Sequence, residues 1–281
     1  MKIFTTKSAL ATYLSTFKSA NKKIGFVATM GALHQGHLSL IKQSKQQTDL
    51  TVCSIFVNPT QFNDPADLEK YPRPIEQDKL LLESASCDVL FLPSVDEMYA
   101  KGESWYIDLG ELDRIWEGAH RPGHYQGVTQ IVKKLFDVVK PDVAFFGQKD
   151  FQQCMVIQRM LDELNMPILL KIGETLREPD GLAMSSRNVR LSAQGHHHAL
   201  VISKVLFMVQ QEFRQGLTVK ELKNRALETL NKAEGIELEY FAICDRATLN
   251  EIGAVQPPNS QLVAIVAAWV EGVRLIDNVL L

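Results

Sequence analysis

The sequence predicts an α/β protein, with a Rossmann-like parallel sheet in the N-terminal domain and a smaller α+β domain at the C-terminus. Three observations carry this. Apolar runs at residues 24–29, 50–57, 87–92, 142–147 and 168–172 read as short strands buried on both faces. Amphipathic stretches alternate with them, as βαβ units require. Beyond Leu191 the order changes to two helices followed by strand-like runs at 236–244, 261–269 and 273–279. The Pro/Gly/Ser-rich segment at 176–190 marks the change, so the domains are set at 1–176 and 177–281.

Taken in order, residues 4–20 read as a helix with Thr5 or Thr6 as N-cap and Leu10, Leu14 and Phe17 on one face. The strand at 24–29 then feeds Met30, Gly31, Ala32, Leu33, His34, Gln35, Gly36 and His37, and a helix follows. A strand, a Gly-containing turn and a helix start direct backbone N–H groups and the positive end of the helix dipole at one point, an anion site. Neither the Walker loop nor the G-x-G-x-x-G fingerprint is present. Two imidazoles three residues apart take their place. His-x-Gly-His after a first strand resembles the signature of the nucleotidyltransferase superfamily, in which imidazole N–H donors stabilise charge on phosphate oxygens. A metal pair is the other reading of two such histidines, but no adjacent Cys or acidic ligand completes it.

The strand at 50–57 ends at Asn58-Pro59-Thr60-Gln61, where an open α/β sheet lines its ligand crevice. Asn58 serves equally as a turn opener; the turn chemistry has no call for Gln61. A helix is expected at 75–84. Residues 96–118 read as irregular, with Tyr106 and Trp116 covering apolar surface. Residues 117–127, rich in turn formers, read as a lid-like loop or a plain surface loop. A helix at 128–139 precedes the strand ending in Gly147-Gln148-Lys149-Asp150. There Lys149 can neutralise phosphate and Asp150 can accept from ribose hydroxyls; the plain alternative is a solvated pair opening a helix. A helix at 155–164 follows. Pro179-Asp180-Gly181 is a turn, and Met184-Ser185-Ser186-Arg187 offers hydroxyls and a guanidinium suited to phosphate oxygens. Consecutive helical residues diverge, so His196, His197 and His198 cannot all converge on one metal. A helix at 218–233 completes the second domain's pair.

The net charge of -3 provides no electrostatic reason to expect nucleic acid or an anionic membrane as partner. No apolar run approaches the length of a membrane span, and the N-terminus lacks a signal-peptide layout. Cys53, Cys87, Cys154 and Cys244 are scattered, without C-x-x-C, and read as free, mostly buried thiols in a reducing cytoplasm.

In this order, TMGALHQGHLSLI, FVNPTQF, YPR, HRPGHYQGV, FGQKDFQQ and DGLAMSSRN resemble the pantothenate synthetase (pantoate–β-alanine ligase) family over essentially the full length. The resemblance implies that ATP and (R)-pantoate form pantoyl adenylate with release of pyrophosphate, and that β-alanine then displaces AMP. It implies ATP contacts from Met30, Gly31, Ala32, Leu33, His34, Gln35, Gly36 and His37, from Gly147, Gln148, Lys149 and Asp150, from Leu176, and from Met184, Ser185, Ser186 and Arg187. His37, His34 and Lys149 are the catalytic set, with His37 matching the proton donor. Gln61, Gln153 and Asn58 are the substrate set. Mg²⁺ is implied as a bridge between phosphates. The second domain is expected to close over the site, since an acyl adenylate must be kept from water. A cytoplasmic homodimer is expected. Two other readings stand beside this one: a nucleotidyltransferase that stops at the nucleotidylated product, and a non-catalytic nucleotide-binding module.

Overall fold

The computed structural model describes residues 1–63, 65–253 and 261–281, which form two compact units: Met1–Gly147 with Gln152–Glu174, and Gln148–Phe151 with Thr175–Leu281. In chain order the elements are β1 (Lys2–Phe4), α1 (Lys7–Ser19), β2 (Ile24–Thr29), α2 (Gln35–Gln47) and β3 (Leu50–Ile55). Next come α3 (Pro65–Lys70), α4 (Ile75–Ser84), β4 (Val89–Phe91), α5 (Val95–Met98), α6 (Glu117–His120) and α7 (His124–Val139). Then follow β5 (Val143–Gly147), α8 (Phe151–Glu163), β6 (Leu169–Gly173), α9 (Ala193–Arg214) and α10 (Val219–Lys232). The chain closes with β7 (Glu237–Asp245), β8 (Leu262–Val270) and β9 (Val273–Leu280).

In the first unit a six-stranded sheet runs in the order β1-β4-β3-β2-β5-β6, every pair parallel. Alternate side chains of each strand enter different cores, as a period of two demands. Phe26, Val52, Phe91 and Phe146 pack with α1, α7 and α8, while Val27, Cys53, Leu90 and Phe145 pack with α2 and α4. The winding reverses between β2 and β5. In a doubly wound sheet such a switch point opens a crevice at the strands' carboxyl ends.

The residues expected at the start of the first helix divide differently from the sequence reading. Phe4 belongs to β1, and Thr6 caps α1 by accepting from the Ala9 amide. The three residues of β1 are too few, and too exposed, to show a periodicity. The stretch 96–118 is less irregular than expected, because Ser94 caps the short α5 and α6 begins at Glu117. Tyr106 covers nothing: it is 73% exposed.

The second unit is α+β. Its antiparallel sheet, β7-β8-β9, buries Phe241, Ile243, Val266 and Leu275 against Leu206, Val209, Leu222 and Leu230 of α9 and α10. Thr218 and Glu221 form a reciprocal capping box at the start of α10. All four cysteines are buried and free. Among the described residues no helix is long and apolar enough to cross a membrane.

Candidate active site

The loop after β2 is built around its own side chains. Thr29 Oγ1 donates to the Ser54 carbonyl at 2.7 Å and accepts from the Gly31 amide at 3.2 Å. Gly31 has φ +81° and Ala32 φ +49°, a left-handed turn that brings the next two amides onto Asp78 of α4. Ala32 N–H donates to Asp78 Oδ2 at 2.9 Å and Leu33 N–H to Oδ1 at 2.7 Å. His34 is the N-cap of α2: its Nδ1 accepts from the Gly36 amide at 3.2 Å, and His37 Nδ1 accepts from the His34 amide at 3.3 Å.

A ring nitrogen that accepts from an amide carries no proton, so both neutral imidazoles carry theirs on Nε2. The rings lie 4.1 Å apart, centroid to centroid. The sequence predicted an anion site of backbone amides with two imidazoles at its mouth. In the structure the amides of Gly31, Ala32, Leu33, His34 and Gly36 bond to the protein's own side chains, and the two imidazoles stand at the start of α2.

After β3 the chain makes a single 3₁₀ turn, Pro59–Gln61. Asn58 is 1% exposed, and its side chain is fully engaged. Its Nδ2 donates to Gln61 Oε1 at 3.1 Å and to the Gly127 carbonyl at 3.0 Å. Its Oδ1 accepts from Tyr99 Oη at 2.6 Å and Thr60 Oγ1 at 3.2 Å. With both polar atoms of its side chain engaged inside the protein, Asn58 stands beside Gln61 and bonds to its amide. Gln61 Nε2 donates to Met30 Sδ at 3.0 Å, so the fold brings the first loop and the β3 turn together.

Residues 117–127 are only partly loop: α6 and the first turn of α7 flank a short turn at 121–123. His124 and Tyr125 are buried in the first turn of α7, and His124 Nδ1 donates to the Gln61 carbonyl at 2.8 Å. Its Nε2 then accepts from Arg121 Nη1 at 3.0 Å. A Cβ on Gly127 would lie 2.3 Å from the Thr60 carbonyl oxygen, so only glycine lets α7 pack this closely on the turn. At the start of α8 two glutamines part company. Gln152 is spent on the Glu117 amide and the Leu112 and Ile115 carbonyls, whereas the Gln153 side chain makes no hydrogen bond to the described residues.

Gly147 ends β5 in the first unit, and the second unit carries the other predicted positions. Asn278 of β9 donates to the carbonyls of Gln148 and Lys149, both at 2.9 Å, and accepts from Gln148 Nε2 at 3.2 Å. Lys149 Nζ lies 3.8 Å from Asp150 Oδ2. The Met184 amide donates to the Leu176 carbonyl at 3.0 Å, and Arg177 bridges to Ala183 in a tight hairpin. Asp277, 4% exposed, holds the Arg177 guanidinium through two bonds of 2.6 and 3.0 Å. Lys149, Ser185 and Asp277 line one cavity of about 10 Å³, room for roughly a single water. Ser185 Oγ also accepts from the Arg187 amide. Of the three consecutive histidines, His196 alone turns to Glu178 and Asp180, at 3.7 and 2.8 Å.

A family model described as pantoate-beta-alanine ligase matches residues 2–280. The chain belongs to the pantoate–β-alanine ligase family. It is thus a ligase that forms an amide bond in pantothenate biosynthesis. Among similar ligases, the pantothenate synthetase of Cytophaga hutchinsonii is 47% identical over 273 residues, covering 97% of this chain and 96% of the relative. That of Sulfurihydrogenibium sp. is 45% identical, covering 99% of both chains. The pantothenate synthetase structure from Thermus thermophilus superposes with a TM-score of 0.93 at 38% identity, covering 99% of both chains. A pantoate–β-alanine ligase from Francisella tularensis, complexed with β-γ ATP and β-alanine, superposes at 0.81 with 35% identity, covering 100% of this chain and 97% of that one.

Residues that brace these ligase loops escape a sequence reading. Asp78, Tyr99, Asp277 and Asn278 belong to no motif. The signal for Asp78 was a carboxylate four residues before Leu82, on the buried face of α4. For Asp277 and Asn278 it was two polar residues inside an apolar strand.

Proposed function

We propose that this chain condenses (R)-pantoate with β-alanine using ATP, through a pantoyl-adenylate intermediate, releasing pyrophosphate and AMP. The observation that carries the reading is the tautomer of His34 and His37, whose Nδ1 atoms both accept from amides and leave Nε2–H as donors. The Francisella relative, complexed with β-γ ATP and β-alanine, supports a nucleotide and that amine as ligands.

In the first step a carboxylate oxygen of pantoate attacks the α-phosphorus. The bond to the bridging oxygen breaks, and pyrophosphate leaves with the electron pair. Charge grows on the phosphate oxygens, where Nε2–H donors of His34 and His37 stabilise it, His37 as the proton donor. In the second step the β-alanine amine attacks the acyl carbon, the acyl–oxygen bond breaks, AMP leaves and the nitrogen sheds a proton. No Ser or Cys nucleophile is required.

Gln61 and Gln153 hold the pantoate hydroxyls and carboxylate. Asn58 and Tyr99 fix the Gln61 amide so that its free lone pairs and N–H meet substrate without reorganisation. Met30, Gly31, Ala32, Leu33, Gln35 and Gly36 form the wall of the nucleotide pocket. Gly147, Gln148 and Lys149 approach the phosphates, Asp150 the ribose and the Leu176 backbone the adenine. Met184, Ser185, Ser186 and Arg187 form the second phosphate-binding segment. The phosphate-facing groups are chiefly N–H donors rather than oxygen ligands. Mg²⁺, when bound with the nucleotide, would neutralise phosphate charge. The partners are small molecules and a second copy of this chain, checked by light scattering.

The test is pyrophosphate–ATP exchange with and without pantoate. Exchange that depends on pantoate, with AMP as the final nucleotide, is expected; ADP as product sinks the adenylate route.

A further inference from the structure

We infer that Asp78 is a positioning residue for the reaction: its buried carboxylate sets the turn that fixes the tautomer and facing of His34 and His37. The inference rests on the reading of those histidines given above. Asp78 lies on α4, 46 residues beyond Ala32 and 45 beyond Leu33, and has 0% exposure. Among the described residues no cation pairs with it. Its charge is met by the Ala32 and Leu33 amides, one on each oxygen. A buried carboxylate satisfied only by backbone N–H groups demands both, because each one lost leaves charge uncompensated.

The demand reaches the imidazoles through the chain. Ala32 holds φ +49°, a conformation costly for a residue with a Cβ, and the two bonds to Asp78 are what the structure sets against that cost. Leu33, whose amide Asp78 grips, is the residue before the His34 N-cap. Its placement decides whether the His34 amide meets His37 Nδ1 and whether His34 Nδ1 meets the Gly36 amide. The opposite side is closed too: a Cβ on Gly31 would stand 2.9 Å from Asp78 Oδ2 and 3.0 Å from Ile55 Cγ2. The turn therefore has little room to shift while the carboxylate is in place.

The experiment compares Asp78→Asn, His37→Ala and Leu82→Ala in the full-length enzyme. Asn keeps the size of Asp but turns an N–H₂ donor toward one of the two amides. Leu82 is a fully buried residue of the same helix that does not bond to the loop, and it serves as the stability control. For Asp78→Asn, kcat should fall by about 100-fold, the scale of a small misplacement of a reacting group. KM for β-alanine should stay within about threefold, as expected when only transition-state contacts are lost. Leu82→Ala should lose thermal stability at least as far while keeping kcat. ¹⁵N-detected NMR of labelled histidine should show the Nε2–H tautomer for both rings in the parent and a tautomer mixture in Asp78→Asn. Should Asp78→Asn fail to fold, Gly31→Ala, which presses the turn against the carboxylate, should lower kcat and mix the tautomers in the same way. Near-normal kcat in Asp78→Asn beside a crippled His37→Ala overturns the inference and leaves the site reading standing. A normal rate in His37→Ala overturns both.

Discussion

Asn58 donates to Gln61 across 3.1 Å while accepting from Tyr99 across 2.6 Å, so the glutamine amide is aimed by a side chain with almost no exposure. A neutral amide in this position has only one way to satisfy all its neighbours. The Gln61 amide is thereby oriented before any ligand arrives, and Met30 Sδ meets its other end.

Replacing Asn58 with Ala should cost the Tyr99 hydroxyl and the Gly127 carbonyl one partner each and release Gln61. A stability loss of about 1–3 kcal/mol is expected, the scale for buried polar groups left without a partner. Urea unfolding checks it. KM for pantoate should rise further than KM for ATP in steady-state kinetics, because the released group is the one read as a pantoate contact.

Asn278→Ala removes the two donors that hold the Gln148 and Lys149 carbonyls. KM for ATP should rise about tenfold, the equivalent of roughly one hydrogen bond of positioning. Asn278→Asp should fare no better, since a carboxylate facing two carbonyls repels both. Titration with a non-hydrolysable ATP analogue measures the change directly.

Burial pushes the Asp78 carboxyl above the usual carboxylate range, although the Leu33 and Ala32 amides pull against it. Between the ordinary value of 3.8 and that raised value, the folded state holds a proton that the unfolded chain has released. Stability owed to this group is therefore greatest at acid pH and falls as pH rises through that window. The stability advantage of the parent over Asp78→Asn should shrink from pH 4 upward and then level off. Urea midpoints across a pH series test the sign.

Burial also raises the Cys53, Cys87 and Cys244 thiols, Cys87 and Cys244 each to about 12. These three lack both access and thiolate, and Cys154 is buried too. An aromatic disulfide reagent should therefore react negligibly with the native protein at neutral pH and titrate all four cysteines in denaturant. A fast-reacting thiol in the native state would show that one of these cores opens readily.

The sequence by itself determined the doubly wound sheet of the first unit, because strands buried on both faces leave short apolar runs and packed helices leave a 3.6-residue stripe. It also displayed the polar residues that follow β2, β3 and β5, since those stand out at the ends of apolar runs. Tertiary structure decided what those residues are tied to. That the end of 117–127 packs closely on the turn after β3 turned on Gly127 meeting a carbonyl that lies 67 residues earlier in the chain, at Thr60. Whether the first loop offers amides or imidazole edges turned on a carboxylate from α4. Periodicity records which face of an element is dry, but a hydrogen bond between distant residues leaves no period behind it. Braces such as Asp78, Tyr99 and Asn278 are visible only once the chain has brought their partners to them.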